Sequence, residues 1–262
     1  MADLEGRTVI IAGVGSGLGR ETAAAAYREG ANVVMGARTE SQLEAVAKEV
    51  DDTGARVAYR VTDITSVEDC DAIVALAVDR FGGVDALVNC AAYESVMGGL
   101  ATAGDFSEWK TTFDVNLYGS LKMTWAALPE LKKTGGGVVF VSSQTQHYPP
   151  LQVMQMAYAS SKSALTGAMH HLAQEIGPMG VRVNEVAPGW MWGPPVEGYV
   201  QWMAQERKVP HDDVLHELTD RMPLRRMATD GEVAEAIVFF CSPRAGGITG
   251  QTLLVNAGEI MK

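Results

Sequence analysis

The sequence predicts a doubly wound α/β fold, one parallel sheet of about seven strands with helices on both faces. Three observations predict it. Short apolar segments rich in β-branched residues recur along the 262 residues. Segments of helical length separate them, and a glycine-rich turn joins the first strand to the first helix. Strands that are apolar throughout belong to sheets buried on both faces, and their alternation with helices marks parallel crossover units.

The first strand is Thr8–Ala12, followed within seven residues by Gly13, Gly15, Gly17 and Gly19. The alanine-rich segment Leu18–Arg28 then reads as a helix, and Gly30 stops it. The unit repeats in kind: strand Asn32–Met35, helix Glu40–Val50, strand Arg56–Tyr59, helix Val67–Phe81, strand Ala86–Asn89. In the second half a long helix is expected over Phe106–Lys133, stopped by Gly135, Gly136 and Gly137. Strand Val138–Val141, helix Tyr158–Ile176, strand Val181–Val186, helix Glu232–Cys241 and strand Thr252–Val255 complete the pattern. The irregular stretch Pro188–Ala228 contains five prolines and no clear strand. An irregular segment of that length is expected to form an active-site lid, placed at about 190–228. No repeat, low-complexity tract or linker interrupts the chain, so one domain over 1–262 is expected.

Composition narrows the function. A hydrophobic fraction of 47% with 20% charged residues is that of a globular protein with a core. The net charge of −11 argues against nucleic acid, whose phosphates are bound by Lys and Arg. No apolar run has the length of a membrane span, and Met1–Glu5 lacks the basic start and apolar stretch of a signal peptide. A cytoplasmic protein is therefore expected, with Cys70, Cys90 and Cys241 as reduced thiols, too far apart in sequence to suggest a metal site.

A strand, a glycine turn and a helix start together build an anion site, because glycines allow close backbone approach and the first helical N–H groups face the ligand. The spacing Gly13-x-x-x-Gly17-x-Gly19 lacks the Lys-Ser/Thr of a nucleoside triphosphate loop. Where a dinucleotide fold places an acid for the ribose 2′-hydroxyl, this chain reads Gly36-Ala37-Arg38-Thr39. No carboxylate is there to repel a 2′-phosphate, and Arg38 offers a fork of donors to bind one. NADP(H) is favoured, with NAD(H) the alternative.

Tyr158 and Lys162, four apart at the start of a predicted helix, share one face. A phenol with an ordinary pKa near 10 becomes a usable acid or base when a cation stabilises its anion.

With these residues the chain resembles the short-chain dehydrogenase/reductase family over nearly its whole length. The resemblance rests on Gly13, Gly17 and Gly19, on Asp63 after the third strand, and on Asn89-Cys90-Ala91-Ala92 after the fourth. It continues through Asn116, Ser143, Tyr158 with Lys162, Pro188-Gly189, and Ile248-Thr249-Gly250-Gln251. It implies a Rossmann-like fold and a catalytic set of Asn116, Ser143, Tyr158 and Lys162. Tyr158 would protonate or deprotonate the substrate oxygen, Lys162 would lower its pKa, and Ser143 would donate to that oxygen. Asn116 would hold a water linking Lys162 to solvent. Cofactor contacts are expected from Gly13, Gly15, Ser16, Gly17, Leu18, Gly19, Arg38, Asp63, Ile64, Asn89, Ala91, Tyr158, Lys162, Pro188 and Gly189. No metal is expected. The family implies a dimer or tetramer assembled through the two long helices.

Four departures from the family pattern stand out. Ala12 replaces a threonine, Cys90 and Ala92 replace Asn and Gly, and Gly193 stands where a threonine commonly meets the carboxamide. Ser143 and Tyr158 are 15 apart, a longer spacing than usual, and the extra length falls in His147–Leu151. The substrate is expected to be a ketone or alcohol, bulky and apolar, because Trp190, Trp192 and Trp202 cluster in the lid with Met191, Tyr199 and Met203. Packing of those aromatics onto the core or a neighbouring subunit is the alternative. Gln144 and His147, just after Ser143, are further candidates for substrate contact. The rival functions are an NAD-linked alcohol dehydrogenase and a non-catalytic dinucleotide sensor.

Overall fold

A computed structural model of the chain describes residues 3–94, 97–103, 105–149 and 154–261. The strands in chain order are β1 (Thr8–Ala12), β2 (Asn32–Ala37), β3 (Val57–Val61), β4 (Ala86–Asn89), β5 (Gly137–Val141), β6 (Arg182–Pro188), β7 (Met191–Trp192), β8 (Ala228–Thr229) and β9 (Thr252–Val255). The α-helices are α1 (Leu18–Arg28), α2 (Glu40–Val50), α3 (Val67–Phe81), α4 (Ser107–Phe113), α5 (Ser120–Thr134), α6 (Met156–Ile176), α7 (Pro194–Arg207), α8 (His211–Thr219) and α9 (Asp230–Cys241).

Seven strands form one sheet in the order β3-β2-β1-β4-β5-β6-β9, and every pairing in it is parallel. The all-apolar strands follow from burial on both faces. In β1, Val9 and Ile11 pack with residues of α1, α2 and α9, while Ile10 and Ala12 pack with α3, α5 and α6. Alternate side chains of a strand point to opposite faces, so each face receives half of every strand. Burying one such Val or Ile side chain contributes about 1.5–3 kcal/mol, and the two clusters hold the sheet between two helical layers. Strand order reverses at β1 and β4, and the crevice beyond their carboxyl ends is where such sheets bind ligands.

Two expectations are corrected. The helix expected over Phe106–Lys133 is broken: α4 ends at Phe113, a π-helical turn spans Asp114–Gly119, and α5 resumes at Ser120. An inserted residue in one turn leaves the apolar pattern on either side intact, so periodicity does not reveal it. Gly119 fits there because a Cβ would lie 2.7 Å from Cδ1 of Ile64. The lid is also not irregular. It consists of α7 and α8 with the short pair β7–β8, and Val200, Val214, Leu218, Met222 and Met227 give it a small core of its own. Pro194 and Pro195 sit in the first turn of α7, where a missing N–H costs nothing, and start the helix.

Candidate active site

The glycine turn lies over the sheet's reversal point, pinned to β2 by hydrogen bonds from Gly13 N (2.8 Å) and Val14 N (3.1 Å) to Gly36 O. Gly13 has φ +111°, and a Cβ there would overlap the backbone of Ala91 and lie 2.7 Å from the carbonyl carbon of Cys90. A Cβ on Gly19 would lie 2.8 Å from Val14 Cα. These two glycines are required by the protein's own packing. Gly15 differs, since a Cβ there would meet nothing within 4 Å.

The turn opens into a cleft of about 850 Å³ lined by Gly13, Gly15, Gly17, Leu18, Gly19, Arg38, Asp63, Ile64 and Ala91. Helix α1 begins at Gly17 with no side-chain cap, which leaves its first amides for a ligand. Arg38 is exposed on the cleft and, among the described residues, makes no hydrogen bond or ion pair. Asp63 accepts hydrogen bonds from Thr65 N (2.9 Å) and Thr65 Oγ (2.7 Å), which hold its carboxyl below the usual range. A bare amide cradle, an unpaired cation and a cleft of this size fit a dinucleotide. Asn89 is a correction: it is buried at the end of β4, donates to Thr124 Oγ (3.2 Å) and does not line the cleft. It braces β4 against α5.

A second cavity of about 490 Å³ adjoins the first, and Gly17, Leu18, Cys90 and Ala92 line both. Ser143, Tyr158 and Lys162 line it together with Ser16, Gln144, Pro188 and Gly189. Ser143 ends the segment after β5 and caps a one-turn helix over Gln144–Gln146, its Oγ accepting from Thr145 N at 3.3 Å. Tyr158 stands in the first turn of α6 and Lys162 one turn later, 1% exposed. Lys162 Nζ donates to Val141 O (2.7 Å) and lies 5.6 Å from the Tyr158 ring centroid.

Burial raises the Tyr158 phenol well above its ordinary pKa, and the Glu94 carboxylate adds to the rise. The Ser143 hydroxyl, hydrogen-bonded to the phenol oxygen, pulls the other way. Burial also brings Lys162 down to about 8, despite nearby negative groups. Asn116 lies in the π-helical turn, fully buried. Its Oδ1 accepts from Tyr93 N (2.7 Å), and its Nδ2 donates to Tyr93 O (3.1 Å) and Ser161 Oγ (2.9 Å). It therefore clamps the strand-four loop to the residue preceding Lys162.

The lid aromatics divide. Trp190 and Tyr199, with ring centroids 5.6 Å apart, line the cavity beside Met191, Pro194 and Val196. Trp192 does not line it; like Trp190 it packs on the lid's core, and it stands edge-on to His211. Trp202 is 56% exposed against Tyr199 and does not line the cavity. His147 is also off the cavity, its Nε2 3.3 Å from Gln146 Nε2. Pro150 and Leu151, in the same expected insertion, lie outside the described residues.

Residues without a motif complete the cavity. Glu259 has only 3% of its side chain exposed; it pairs with Arg221 (2.5 Å) and accepts from Gln144 Nε2 (2.6 Å). Asn256 donates to Gln144 Oε1 (3.0 Å). Glu94 and Asp230 are also on the wall. Only the fold brings this tail, lid and loop together. The one legible signal was Gln144, adjacent to Ser143. Among the described residues no group of His, Cys, Asp or Glu could hold a metal ion, and no helix is long and apolar enough to cross a membrane.

A parallel sheet with an amide-lined dinucleotide cleft, continuous with a Ser-Tyr-Lys cavity, defines an NAD(P)-dependent oxidoreductase of alcohol and carbonyl groups. The comparisons agree. A family model described as enoyl-(acyl carrier protein) reductase matches residues 13–259. Similar proteins include the short-chain reductase protein NovJ of Streptomyces niveus, 33% identical over 95% of this chain and 92% of the relative. Another is 7alpha-hydroxysteroid dehydrogenase of Escherichia coli K12, 28% identical over 99% of this chain and 96% of the relative. L-Sorbose reductase from Gluconobacter frateurii, solved with NADPH and L-sorbose, superimposes over 100% of both chains with TM-score 0.91 and 26% identity. The chain belongs to the short-chain dehydrogenase/reductase family.

Proposed function

We propose that this protein interconverts a ketone and a secondary alcohol with NADP(H) in preference to NAD(H). The observation that carries the proposal is the continuity of two cavities, one built for a dinucleotide and the other holding Ser143, Tyr158 and Lys162. The backbone of the glycine turn would hold the pyrophosphate and Arg38 a 2′-phosphate, with Lys162, Pro188 and Gly189 left for the nicotinamide end. When bound, the dinucleotide supplies or accepts the hydride.

The chain's own residues manage the proton and the charge. Tyr158, kept protonated by burial, donates its proton to the oxygen of a ketone and takes it back from an alcohol. Lys162, still cationic at neutral pH, stabilises the phenolate left behind. Ser143 donates to the substrate oxygen as charge develops there. Asn116, its side chain bonded to Tyr93 and Ser161, fixes the turn of α6 that carries Lys162.

Trp190, Met191, Val196 and Tyr199 give the cavity bulky apolar lining, and Gln144, Arg221 and Glu259 give it polar lining. A bulky substrate with a polar end suits both. Relatives named for a hydroxysteroid and for a sugar support a broad substrate class. We read the assembly as a homo-oligomer, since Tyr118 and Trp125 on the segment Asp114–Thr134 are 53% and 67% exposed.

The test is NADPH consumption with a panel of ketones by the wild type and by Tyr158→Phe. The variant is expected to lose at least about a thousandfold in rate, in the range set by general acid catalysis with its phenolate partner. It is also expected to keep its melting temperature and NADPH affinity. Retention of most of the rate refutes the assignment.

A further inference from the structure

Arg221 lines the substrate cavity from the lid, in the segment between α8 and β8, and among the described residues its one partner is Glu259. Its Nη2 meets Glu259 Oε1 at 2.5 Å, while its Nε is buried with no hydrogen-bond partner. A guanidinium carries five N–H donors and no acceptor. A buried donor left unmade costs free energy, which a ligand bringing an acceptor recovers. Gln144 differs, since both ends of its amide are engaged inside the protein: Nε2 donates to Glu259 Oε2 (2.6 Å) and Oε1 accepts from Asn256 (3.0 Å).

The arginine is held in place from both sides. Met222, the next residue, is buried in the lid's core. Leu224 N donates to Ala257 O (3.3 Å), and a Cβ on Gly258, at φ +85°, would lie 2.9 Å from Pro223 Cδ. The tail after β9 therefore packs directly on the lid segment that carries Arg221. Within that tail Glu259 N donates to Asn256 O (3.1 Å), and the Glu259 side chain is 3% exposed. The contacts run from Gln144, beside Ser143, through Glu259 to Arg221, and join the reacting end of the cavity to the lid.

Charge narrows the ligand group. The Arg221 cation already has its counter-charge in Glu259, and Glu94 and Asp230 stand on the same cavity wall. A carboxylate brought to Arg221 would meet Glu259 as well and would lose its own hydration. An uncharged oxygen accepts from the guanidinium at a smaller desolvation cost. We propose that Arg221, aligned by Glu259, is a specificity-determining residue that selects ketones carrying a second, uncharged oxygen acceptor, a hydroxyl or carbonyl, remote from the reacting carbonyl. The proposal rests on the reading of the Ser143, Tyr158 and Lys162 cavity as a ketone site.

The experiment measures binding by calorimetry to the protein loaded with NADP⁺, on which a ketone cannot be reduced. Three cyclic ketones of one skeleton are compared, bearing hydroxyl, hydrogen or carboxylate at the far ring position. The wild type is expected to bind the hydroxyl compound about tenfold or more tighter than the hydrogen compound, the size of a hydrogen bond to a charged group. The carboxylate compound should bind more weakly than the hydroxyl one. Arg221→Met combined with Glu259→Gln, which leaves no lone buried carboxylate, should abolish the preference and leave binding of the hydrogen compound close to wild type. Should that variant not fold, Arg221→Lys decides, because an ammonium held by Glu259 has no Nε to offer and the preference should fall. No preference in the wild type, an undiminished preference in the variant, or tighter binding of the carboxylate compound overturns the proposal. Failure of the underlying reading shows separately, as a Tyr158→Phe variant that still reduces the ketones with NADPH.

Discussion

The glycine turn gives the sharpest test, because its glycines are needed for different reasons. Gly13 is held at φ +111°, and a methyl there would collide with Ala91 and Cys90. Strained backbone at such an angle costs about 1–3 kcal/mol, and overpacking adds about as much again. Gly13→Ala should therefore lose at least about 3 kcal/mol, or roughly 6–12 °C in Tm for a chain of this size. Gly15 has no neighbour within 4 Å of its absent methyl and faces the cleft. Gly15→Ala should stay within about 0.5 kcal/mol of wild-type stability. It should nevertheless bind NADPH about tenfold or more weakly, because the methyl stands where the pyrophosphate approaches the backbone. Thermal melting and NADPH fluorescence titration read the two effects independently. A Gly13→Ala protein that melts like the wild type would refute the packing argument. A Gly15→Ala protein with undiminished NADPH affinity would reduce the turn to a plain connection between β1 and α1.

Three other outcomes are expected. Arg38→Ala should weaken NADPH binding about tenfold or more, the loss of a hydrogen bond to a charged group, and leave NADH binding unchanged; parallel titrations would expose an equal loss for both as an error in the cofactor assignment. Ketone reduction should be level through neutral pH and decline above about pH 8, since Lys162 loses its proton there and no longer stabilises the phenolate; a rate that climbs through pH 8 contradicts this sign. Trp190→Ala should raise KM for bulky ketones, whereas Trp202→Ala, outside the cavity, should leave KM and kcat close to wild type.

The chemistry at each end of the reaction was readable because it resides in short, contiguous segments. A run such as Thr8–Ala12 can be buried on both faces only in a covered sheet, so the order of strands and helices followed from hydrophobicity alone. Gly13 to Gly19 and Tyr158 with Lys162 carry their geometry in their spacing, one through a turn and the other through a helical repeat. The break at Asp114–Gly119 was not readable, because the apolar rhythm continues on both sides of it. What holds Asn116 there is its bonding to Tyr93 and Ser161, which lie far from it in sequence.

The substrate wall was the least legible part. Trp190, Trp192 and Trp202 look equivalent as residues, yet Trp190 and Trp192 both pack on the lid core, Trp190 alone of the three lines the cavity, and Trp202 is largely exposed. Arg221, Glu259 and Asn256 carry no motif; Glu259 and Asn256 meet Gln144, and Arg221 meets Glu259, only because the lid and the tail after β9 fold over the same strand ends. Local patterns of burial and hydrogen bonding thus determined the sheet, the glycine turn and the Tyr-Lys pair. Which distant side chains enclose the substrate was decided by tertiary packing, since those contacts join segments that no local spacing relates.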